Sequence, residues 1–262
     1  MERVVTTVEN HVAHVRLNRA DKRNGLDSPM FEAIVAAAKQ VGNDRSVRAV
    51  VLSGEGKAFS AGLDWGAFMS DASLASKLLE RSNESPANIA QRVAWAWVEC
   101  PVPVIAAVHG AAFGGGLQIA LGADVRIVAP DAQLCVMEMR YGLVPDMGAS
   151  KTLLRLVRPD VAKELMFTAR TLSGEEAVAL GLATRVAADP LAAAKELAQT
   201  IAAQSPQAVR AAKKLADTAP DLDVAEAFAL ETKLQLELIG SANQLEAVQA
   251  TMMKRAPEFS DV

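Results

Sequence analysis

The order of predicted elements indicates an α/β core followed by an all-helical region. Short apolar runs bounded by charge or glycine, which are typical of buried strands, alternate with segments of helical spacing through the first part of the chain. From about Asp160 onward nearly every segment has helical spacing, with breaks at Pro206, Pro220 and Gly240. We therefore expect a core at residues 1–195 and a C-terminal helical region at residues 196–262.

The individual strands and helices follow from this patterning. Two neighbouring strands are predicted at residues 4–8 and 12–17, and further buried strands in VRAVVLSG, VPVIAAVHG and DVRIVAP. The first helix is predicted in SPMFEAIVAAAKQV, with Ser28 as its N-cap and Pro29 at its first position. Residues 73–99 have a mostly helical pattern. Later helices are predicted in AAAKELAQTIAAQ, PQAVRAAKKLAD, DVAEAFALETKLQLELIG and ANQLEAVQATMMKRA.

Composition excludes several classes of protein. The chain has 262 residues, 51% of them hydrophobic and 22% charged, with a net charge of −4, so we expect a globular protein with a substantial core. No basic run with interleaved aromatic residues occurs, which argues against a nucleic-acid partner. Cys100 and Cys135 lack a CxxC spacing, and free thiols in a reducing compartment are expected.

The location is predicted from the absence of two signals. The start, MERVVTTVEN, has no apolar region typical of a signal peptide. Residues 101–123 carry no Asp, Glu, Lys or Arg and could reach across a bilayer. Two prolines, His109, a glycine run and Gln118 instead favour a buried strand, a loop and a buried helix in this stretch. We therefore expect a cytoplasmic protein without a membrane partner.

Two glycine-containing turns follow predicted strands, GKAFSAGLDWGAF and HGAAFGGGLQIA. Glycine lets a ligand approach the main chain, and a turn that enters a helix leaves its first N–H groups without partners. Two such turns side by side could direct two N–H groups at one oxygen, as in an oxyanion hole, or they could simply be tight turns that need glycine for packing. With three histidines in the chain, neither a histidine-based triad nor a zinc site is expected.

The same stretches carry a family resemblance. KAFSAGLDWGAF followed by PVIAAVHGAAFGGGLQIALGADVRI resembles the enoyl-CoA hydratase/isomerase (crotonase) superfamily, as do VRLNRADKRNGLD, GLVPDMGAS, LSGEEAVALGLATRV and MMKRAPEF. The match covers nearly the whole chain in the right order. It implies a ClpP-like spiral of ββα units, C-terminal helices that build a homotrimer or hexamer, an acyl-CoA substrate, and no cofactor beyond the coenzyme A of that substrate.

The resemblance also implies roles for individual residues. The N–H groups of Leu63 and Gly115 would form the oxyanion hole that binds the thioester carbonyl oxygen. Contacts to coenzyme A or the substrate would come from Lys22, Arg23, Gly25, Ala61, Asp64 and Gly114, and Lys254 would reach the nucleotide of a neighbouring subunit.

The catalytic acids differ from those of the hydratases. Hydratases of the family hold water between two glutamates, and their positions correspond here to Gln118 and Glu138. Glutamine can hold a water but cannot take its proton. Glu138 lies in a mostly apolar stretch, where burial would raise its pKa and make it a usable acid or base, unless it simply pairs with Arg140. Asp146 is either a turn residue after Pro145 or an acid of the kind that some family isomerases place there, although dienoyl-CoA isomerases also have an acid at the position of Gln118.

The favoured reaction is the isomerisation of a Δ3-enoyl-CoA to a Δ2-enoyl-CoA. This reaction moves one proton from C2 to C4 through an enolate, so a single base, Glu138 or Asp146, suffices. The alternatives are an enoyl-CoA hydratase, which is a lyase, and an acyl-CoA-binding protein without activity. Trp65, Phe68 and Met69 would line an acyl pocket or belong to the core.

Overall fold

The computed structural model of the chain describes residues 2–70, 73–81 and 85–262. Within them the strands are β1 (Val4–Glu9), β2 (Val12–Leu17), β3 (Ala49–Gly54), β4 (Val104–Val108), β5 (Ala111–Phe113), β6 (Val125–Val128), β7 (Gln133–Cys135) and β8 (Arg185–Val186). The main sheet has the order β1-β2-β3-β4-β6-β8, and β5 pairs with β7 in a second sheet. β1 and β2 form an antiparallel hairpin, whereas the other pairs are parallel. The predicted strands are therefore present, with β5, β7 and β8 in addition.

The helices in the first part of the described chain are α1 (Ser28–Asn43), α2 (Trp65–Ser70), α3 (Leu74–Leu79), α4 (Ile89–Val98), α5 (Gly115–Leu121), α6 (Ala149–Leu156), α7 (Pro159–Thr168) and α8 (Gly174–Ala179). They are followed by α9 (Pro190–Ala202), α10 (Pro206–Thr218), α11 (Val224–Leu238) and α12 (Ala242–Met253). Single 3-10 turns occupy residues 20–22, 138–141 and 219–221. Part of the predicted helical stretch 73–99 lies outside the described residues, at 82–84.

The N-cap of α1 corrects a prediction. The cap is Asp27, whose carboxylate accepts a hydrogen bond from the Met30 N–H at 3.0 Å, and Ser28 is the first residue of the helix. Arg3 and Arg19 lie 2.6 Å and 3.4 Å from the same carboxylate. Serine and aspartate cap helices about equally well. The two arginines hold the Asp27 carboxylate at the start of α1, and this explains why Asp27 rather than Ser28 is the cap.

The central strands β3 and β4 of the main sheet are buried on both faces, as strands of parallel sheets usually are. In β3, Val50 and Leu52 belong to the larger core, whereas Ala49 and Val51 face the opposite side. On that opposite side α9 packs its alanine stripe, formed by Ala194, Ala198 and Ala202, against the sheet. The boundary predicted between residues 195 and 196 thus falls within α9, a helix that covers the sheet.

The last three helices bury little of their apolar surface in this chain. Six large apolar side chains on or beside α11 and α12 are 61–79% exposed: Val224, Phe228, Leu236, Ile239, Met252 and Met253. The chain end is nevertheless held to the core, because the buried Arg48 binds the Phe259 carbonyl and the Asp261 carboxylate. Among the described helices, none has the length and apolar character needed to cross a membrane.

We predict that Asp27→Ala lowers the free energy of unfolding by about 1–2 kcal/mol, because the start of α1 loses its cap and two arginines lose their acidic partner. Ser28→Ala is the matched control. Among the described residues, the Ser28 hydroxyl hydrogen-bonds only to Glu32, at 3.4 Å and on the surface, so this change should leave stability nearly constant. Urea unfolding of both variants measures the difference, and a larger loss for Ser28→Ala would show that the cap is assigned to the wrong residue.

Candidate active site

The site is built where two parallel strands end. β3 and β4 are neighbours in the sheet, so the segments that follow them leave at the same edge. The segment after β3 reaches the start of β5, where Ser60 donates its N–H to Ala111 and accepts from Phe113. On its other side the same segment is bridged to Leu26. Topology alone therefore brings the two glycine-containing turns together.

At this edge of the sheet, the backbone N–H groups of Leu63 and Gly115 have no acceptor among the described residues. The bridge to Leu26 uses the Gly62 carbonyl and the Asp64 N–H, which leaves the intervening Leu63 N–H pointing to the opposite side. Gly115 is the first residue of α5, where N–H groups have no partner within the helix. Leu63 and Gly115 both line the same cavity, so their N–H groups are candidates to donate to one oxygen there.

Each of the three consecutive glycines, residues 114–116, is required for a different physical reason. Gly114 has φ 49° and ψ −120°, a left-handed conformation that other residues rarely adopt. A Cβ on Gly115 would lie 2.7 Å from the Met147 sulfur, and one on Gly116 would lie 2.5 Å from the Ser60 carbonyl oxygen. Gly114 is thus required by its backbone conformation, whereas Gly115 and Gly116 are required because other atoms lie too close for a side chain. At Gly116 the close atom belongs to the backbone and cannot move aside.

A cavity of about 300 Å³ surrounds the two amides. Its wall is mostly apolar, which suits an acyl chain. It is lined by Phe31, Ala61, Gly62, Leu63, Trp65, Phe68, Leu78, Leu79, Ala90, Phe113, Gly114, Gly115, Met137, Glu138, Tyr141, Leu143, Val144, Asp146 and Met147. The two acidic side chains in this lining are the two that the sequence analysis selected.

Glu138 is half-buried at the start of the 138–141 turn, beside Gly114. Its Oε1 accepts a hydrogen bond from Gln118 at 2.6 Å, whereas its buried Oε2 has no partner within the described chain. Burial raises the pKa of Glu138, and the charge of Asp146 raises it further, against the lowering effect of hydrogen bonds that include the one from Gln118. A carboxylate with an unpaired oxygen and a raised pKa is suited to take up and release a proton.

Arg140 does not pair with Glu138, which corrects the alternative considered from the sequence. Its guanidinium instead donates to the Ala169 carbonyl, at 2.8 Å and 3.2 Å. The Cys135 thiol also contacts that carbonyl, at 3.1 Å. Glu138 is thus left without a basic neighbour in ion-pair distance among the described residues.

Asp146 lies at the exposed rim of the cavity, in the loop before α6. Partial desolvation at this rim raises the pKa of its carboxyl group. Since Asp146 contributes to the raised pKa of Glu138, the two carboxyl groups are close enough to interact.

Gln118 is buried in α5 and is not part of the cavity wall. Its Nε2 donates to Glu138, and its Oε1 accepts from the N–H groups of Met147 at 2.8 Å and Ala149 at 3.3 Å. The side chain therefore connects Glu138 with the backbone that directly follows Asp146. The family motif identified the position of Gln118, but nothing in the sequence indicates its three hydrogen bonds.

The residues predicted to contact coenzyme A lie in two groups. Ala61 and Gly114 line the cavity, and the Ala61 N–H donates to the Arg23 carbonyl, which places the exposed Lys22–Arg23 turn next to the cavity. Gly25 is buried under this turn, and the Asp64 carboxylate is held by Arg19 at 2.7 Å and by the Ala67 N–H. Lys254 is exposed at the end of α12 and is not part of the cavity wall.

Aromatic side chains form one side of the cavity. The Trp65 ring lies 4.4 Å from that of Tyr141 and 5.6 Å from that of Phe68. Met69 is 76% exposed and does not line the cavity, so the expectation for this residue was wrong. Phe31 and Tyr141 were missed because nothing in their local sequence indicates that distant segments meet here.

Both cysteines are free, as predicted. Within the described ranges, no group of three or more His, Cys, Asp or Glu side chains is arranged to hold a metal ion.

Comparisons with known proteins agree with the family resemblance of the sequence motifs. Residues 7–262 match the profile of the enoyl-CoA hydratase/isomerase family. The human mitochondrial Delta(3,5)-Delta(2,4)-dienoyl-CoA isomerase is 34% identical, over 94% of this chain and 78% of its own length. The mitochondrial enoyl-CoA hydratase domain-containing protein 2 of Bos taurus is 34% identical, over 95% and 84%. The crystal structure of enoyl-CoA hydratase from Bacillus anthracis matches with a TM-score of 0.91 and 29% identity, over 98% of both chains. The chain thus belongs to the enoyl-CoA hydratase/isomerase (crotonase) superfamily of enzymes and has its fold.

Proposed function

We propose that this enzyme isomerises the double bond of an enoyl-CoA thioester, from Δ3 to Δ2, with Glu138 as the base. The observation that carries the proposal is that Glu138, whose Oε2 has no hydrogen-bond partner among the described residues, lines the same cavity as Leu63 and Gly115. The position where a hydratase would have its second glutamate is a neutral amide. One proton acceptor beside one oxyanion hole is what this isomerisation needs.

The reaction follows from this arrangement. The thioester oxygen accepts hydrogen bonds from Leu63 and Gly115, and Glu138 removes a proton from C2. The electron pair of that C–H bond moves toward the carbonyl, and the resulting enolate is stabilised by the two N–H groups, each contributing about 3–4 kcal/mol. Glu138 then returns the proton at C4, so that the double bond lies between C2 and C3 and no water is consumed.

The second carboxyl group supports a related candidate, the isomerisation of a Δ3,5-dienoyl-CoA to the Δ2,4 compound. This reaction removes a proton from C2 and adds one at C6, further along the chain, so that two carboxyl groups on one cavity could divide the work. Glu138 and Asp146 both line the cavity, and the human relative is named for this reaction. Hydration stays the alternative outside isomerisation, and binding of acyl-CoA without turnover is a further one.

The coenzyme A portion of the substrate is proposed to lie along Lys22, Arg23 and Ala61, because this turn directly adjoins the cavity. Gly25 and Asp64 would contribute by holding the turn, since the Asp64 carboxylate is already bound to Arg19. Lys254 would act only from a neighbouring subunit. No cofactor beyond coenzyme A is invoked, and the cytoplasmic location stays a prediction.

We predict that purified enzyme converts 3-enoyl-CoA to 2-enoyl-CoA, that Glu138→Gln lowers kcat by about 10²–10⁴-fold, and that Asp146→Asn leaves more activity. The base must be ionised, so kcat/KM should rise with pH through the pKa of Glu138 and then level off. Removing the Asp146 charge should lower the pKa of Glu138 and move this limb to lower pH.

Parallel assays with 3-enoyl-CoA, 3,5-dienoyl-CoA and 2-enoyl-CoA separate the candidates. Hydration of 2-enoyl-CoA without isomerisation of the other two would contradict the proposal, as would tight binding of all three without turnover. A greater loss in Asp146→Asn than in Glu138→Gln would assign the base to Asp146.

We predict that Leu63→Pro removes most activity, by about 10²–10³-fold in kcat, whereas Leu63→Ala keeps most of it. Proline lacks the N–H, and no other described residue accepts a hydrogen bond from the Leu63 N–H. Leu63 is a better position for this test than Gly115, where a new side chain would meet the Met147 sulfur. Equal activity of the two folded variants in a steady-state isomerase assay would show that Leu63 is not a donor.

We also propose that the enzyme is a homotrimer or hexamer assembled through the C-terminal helices. The six exposed apolar side chains on or beside α11 and α12 support this, because a surface of this kind is normally covered. Sedimentation velocity at micromolar concentration should give the mass of three or six chains, and a wild-type monomer would contradict the proposal. Phe228→Glu should weaken assembly, whereas Met69→Glu, at an exposed position on α2, should not.

A further inference from the structure

We propose that Gln118 is a positioning residue for the reaction: its buried side-chain amide holds the Glu138 carboxylate and the loop of Asp146 in one fixed arrangement. The inference deepens the proposed function, because it concerns the residue that acts through the base. It is carried by three hydrogen bonds of one side chain that is only 2% exposed.

One end of the Gln118 amide donates a hydrogen bond and the other end accepts two. Nε2 donates to Glu138 Oε1, which fixes that oxygen and leaves Oε2 without a hydrogen-bond partner among the described residues. Oε1 accepts from the Met147 and Ala149 N–H groups, which fixes the loop immediately after Asp146. A shift of α5 would therefore act on Glu138 and on the loop of Asp146 together, through a single side chain.

A neutral amide of this length can do both without taking up a proton. An ionised carboxylate accepts hydrogen bonds but donates none, so a glutamate at this position would face Glu138 as a like charge at 2.6 Å. Methionine has a similar length and neither donates nor accepts strongly, and it would leave two buried N–H groups without partners. Gln118 therefore does not simply lack the acid of a hydratase, because its donor and acceptor ends are both used.

The charges around Glu138 make this positioning visible in a titration. Asp146 faces Glu138 from the loop before α6, Cys135 from β7, and Arg140 follows in the same turn. Burial and Asp146 raise the pKa of Glu138, whereas the hydrogen bond from Gln118 lowers it. Removing that bond should therefore raise the pKa of Glu138. If Gln118 had only a structural role, its replacement would leave this pKa unchanged.

The first arm of the test is Gln118→Met. If Gln118 positions the base, kcat should fall about 10²-fold, as expected for a small misplacement of a catalytic group, and KM should change little. The acid limb of the pH–rate profile should move to higher pH. A folded variant with unchanged kcat and an unchanged limb would overturn the proposal.

The second arm is Gln118→Glu, which keeps the length of the side chain and its hydrogen-bond acceptor. This variant tests the positioning role of Gln118 even if Gln118→Met does not fold. The new carboxyl and Glu138 should share one proton, because two close carboxyl groups titrate as a coupled pair. The singly protonated pair reproduces the donor that Gln118 supplies, so activity should be confined to a bell-shaped pH range. A profile with one acid limb, as in the wild type, would overturn the proposal.

A third readout does not depend on catalysis. Carbon-13 NMR of the side-chain carboxyl groups follows the titration of Glu138 in the free protein, with Glu138→Gln to assign its signal. The pKa should be higher in Gln118→Met than in the wild type. If the wild type lacks isomerase activity, the proposed function fails while this titration still decides whether Gln118 sets the state of Glu138.

Discussion

The site depends on the close approach of two backbone segments, the stretch that follows β3 and the start of α5. A Cβ on Gly116 would lie 2.5 Å from the Ser60 carbonyl oxygen, and one on Gly62 would lie 2.5 Å from the Phe113 carbonyl oxygen. Real Cβ atoms do not approach backbone so closely, so any other residue would push the segments apart. With the segments in contact, the free N–H groups of Leu63 and Gly115 line one cavity, and Glu138 lies against Gly114 at its edge.

Most of the framework could be predicted from the sequence because it is encoded locally. β3 and β4 are buried on both faces, so their sequences are nearly continuous apolar runs. The helices from α9 to α12 are separated by proline or glycine and begin at capping residues. The very short strands β5, β7 and β8 were missed, because two or three residues carry no periodicity.

What could not be predicted depends on contacts between distant parts of the chain. Asp27 rather than Ser28 caps α1 because Arg3 and Arg19 surround its carboxylate. In the site, the family motif identified Glu138 and Gln118 by position but gave no hydrogen-bond partners. The bond of Arg140 to the Ala169 carbonyl joins residues 29 apart in sequence. Spacing cannot reveal such pairs, because they are decided by the packing of whole elements.

The electrostatics of the cavity connect the glutamine with the choice of reaction. Glu138 is half-buried and Asp146 lies at the rim of the same cavity, and desolvation raises the pKa of each carboxyl group. A third carboxyl group within hydrogen-bond distance of Glu138 would keep a proton on the pair over a wider pH range, because two such charges repel strongly when solvent is scarce. A shared proton is useful for water addition, which needs both an acid and a base. A reaction that returns the same proton to the substrate needs one ionised acceptor. The amide of Gln118 supplies a donor to Glu138 without adding charge, which is consistent with the proposed isomerisation.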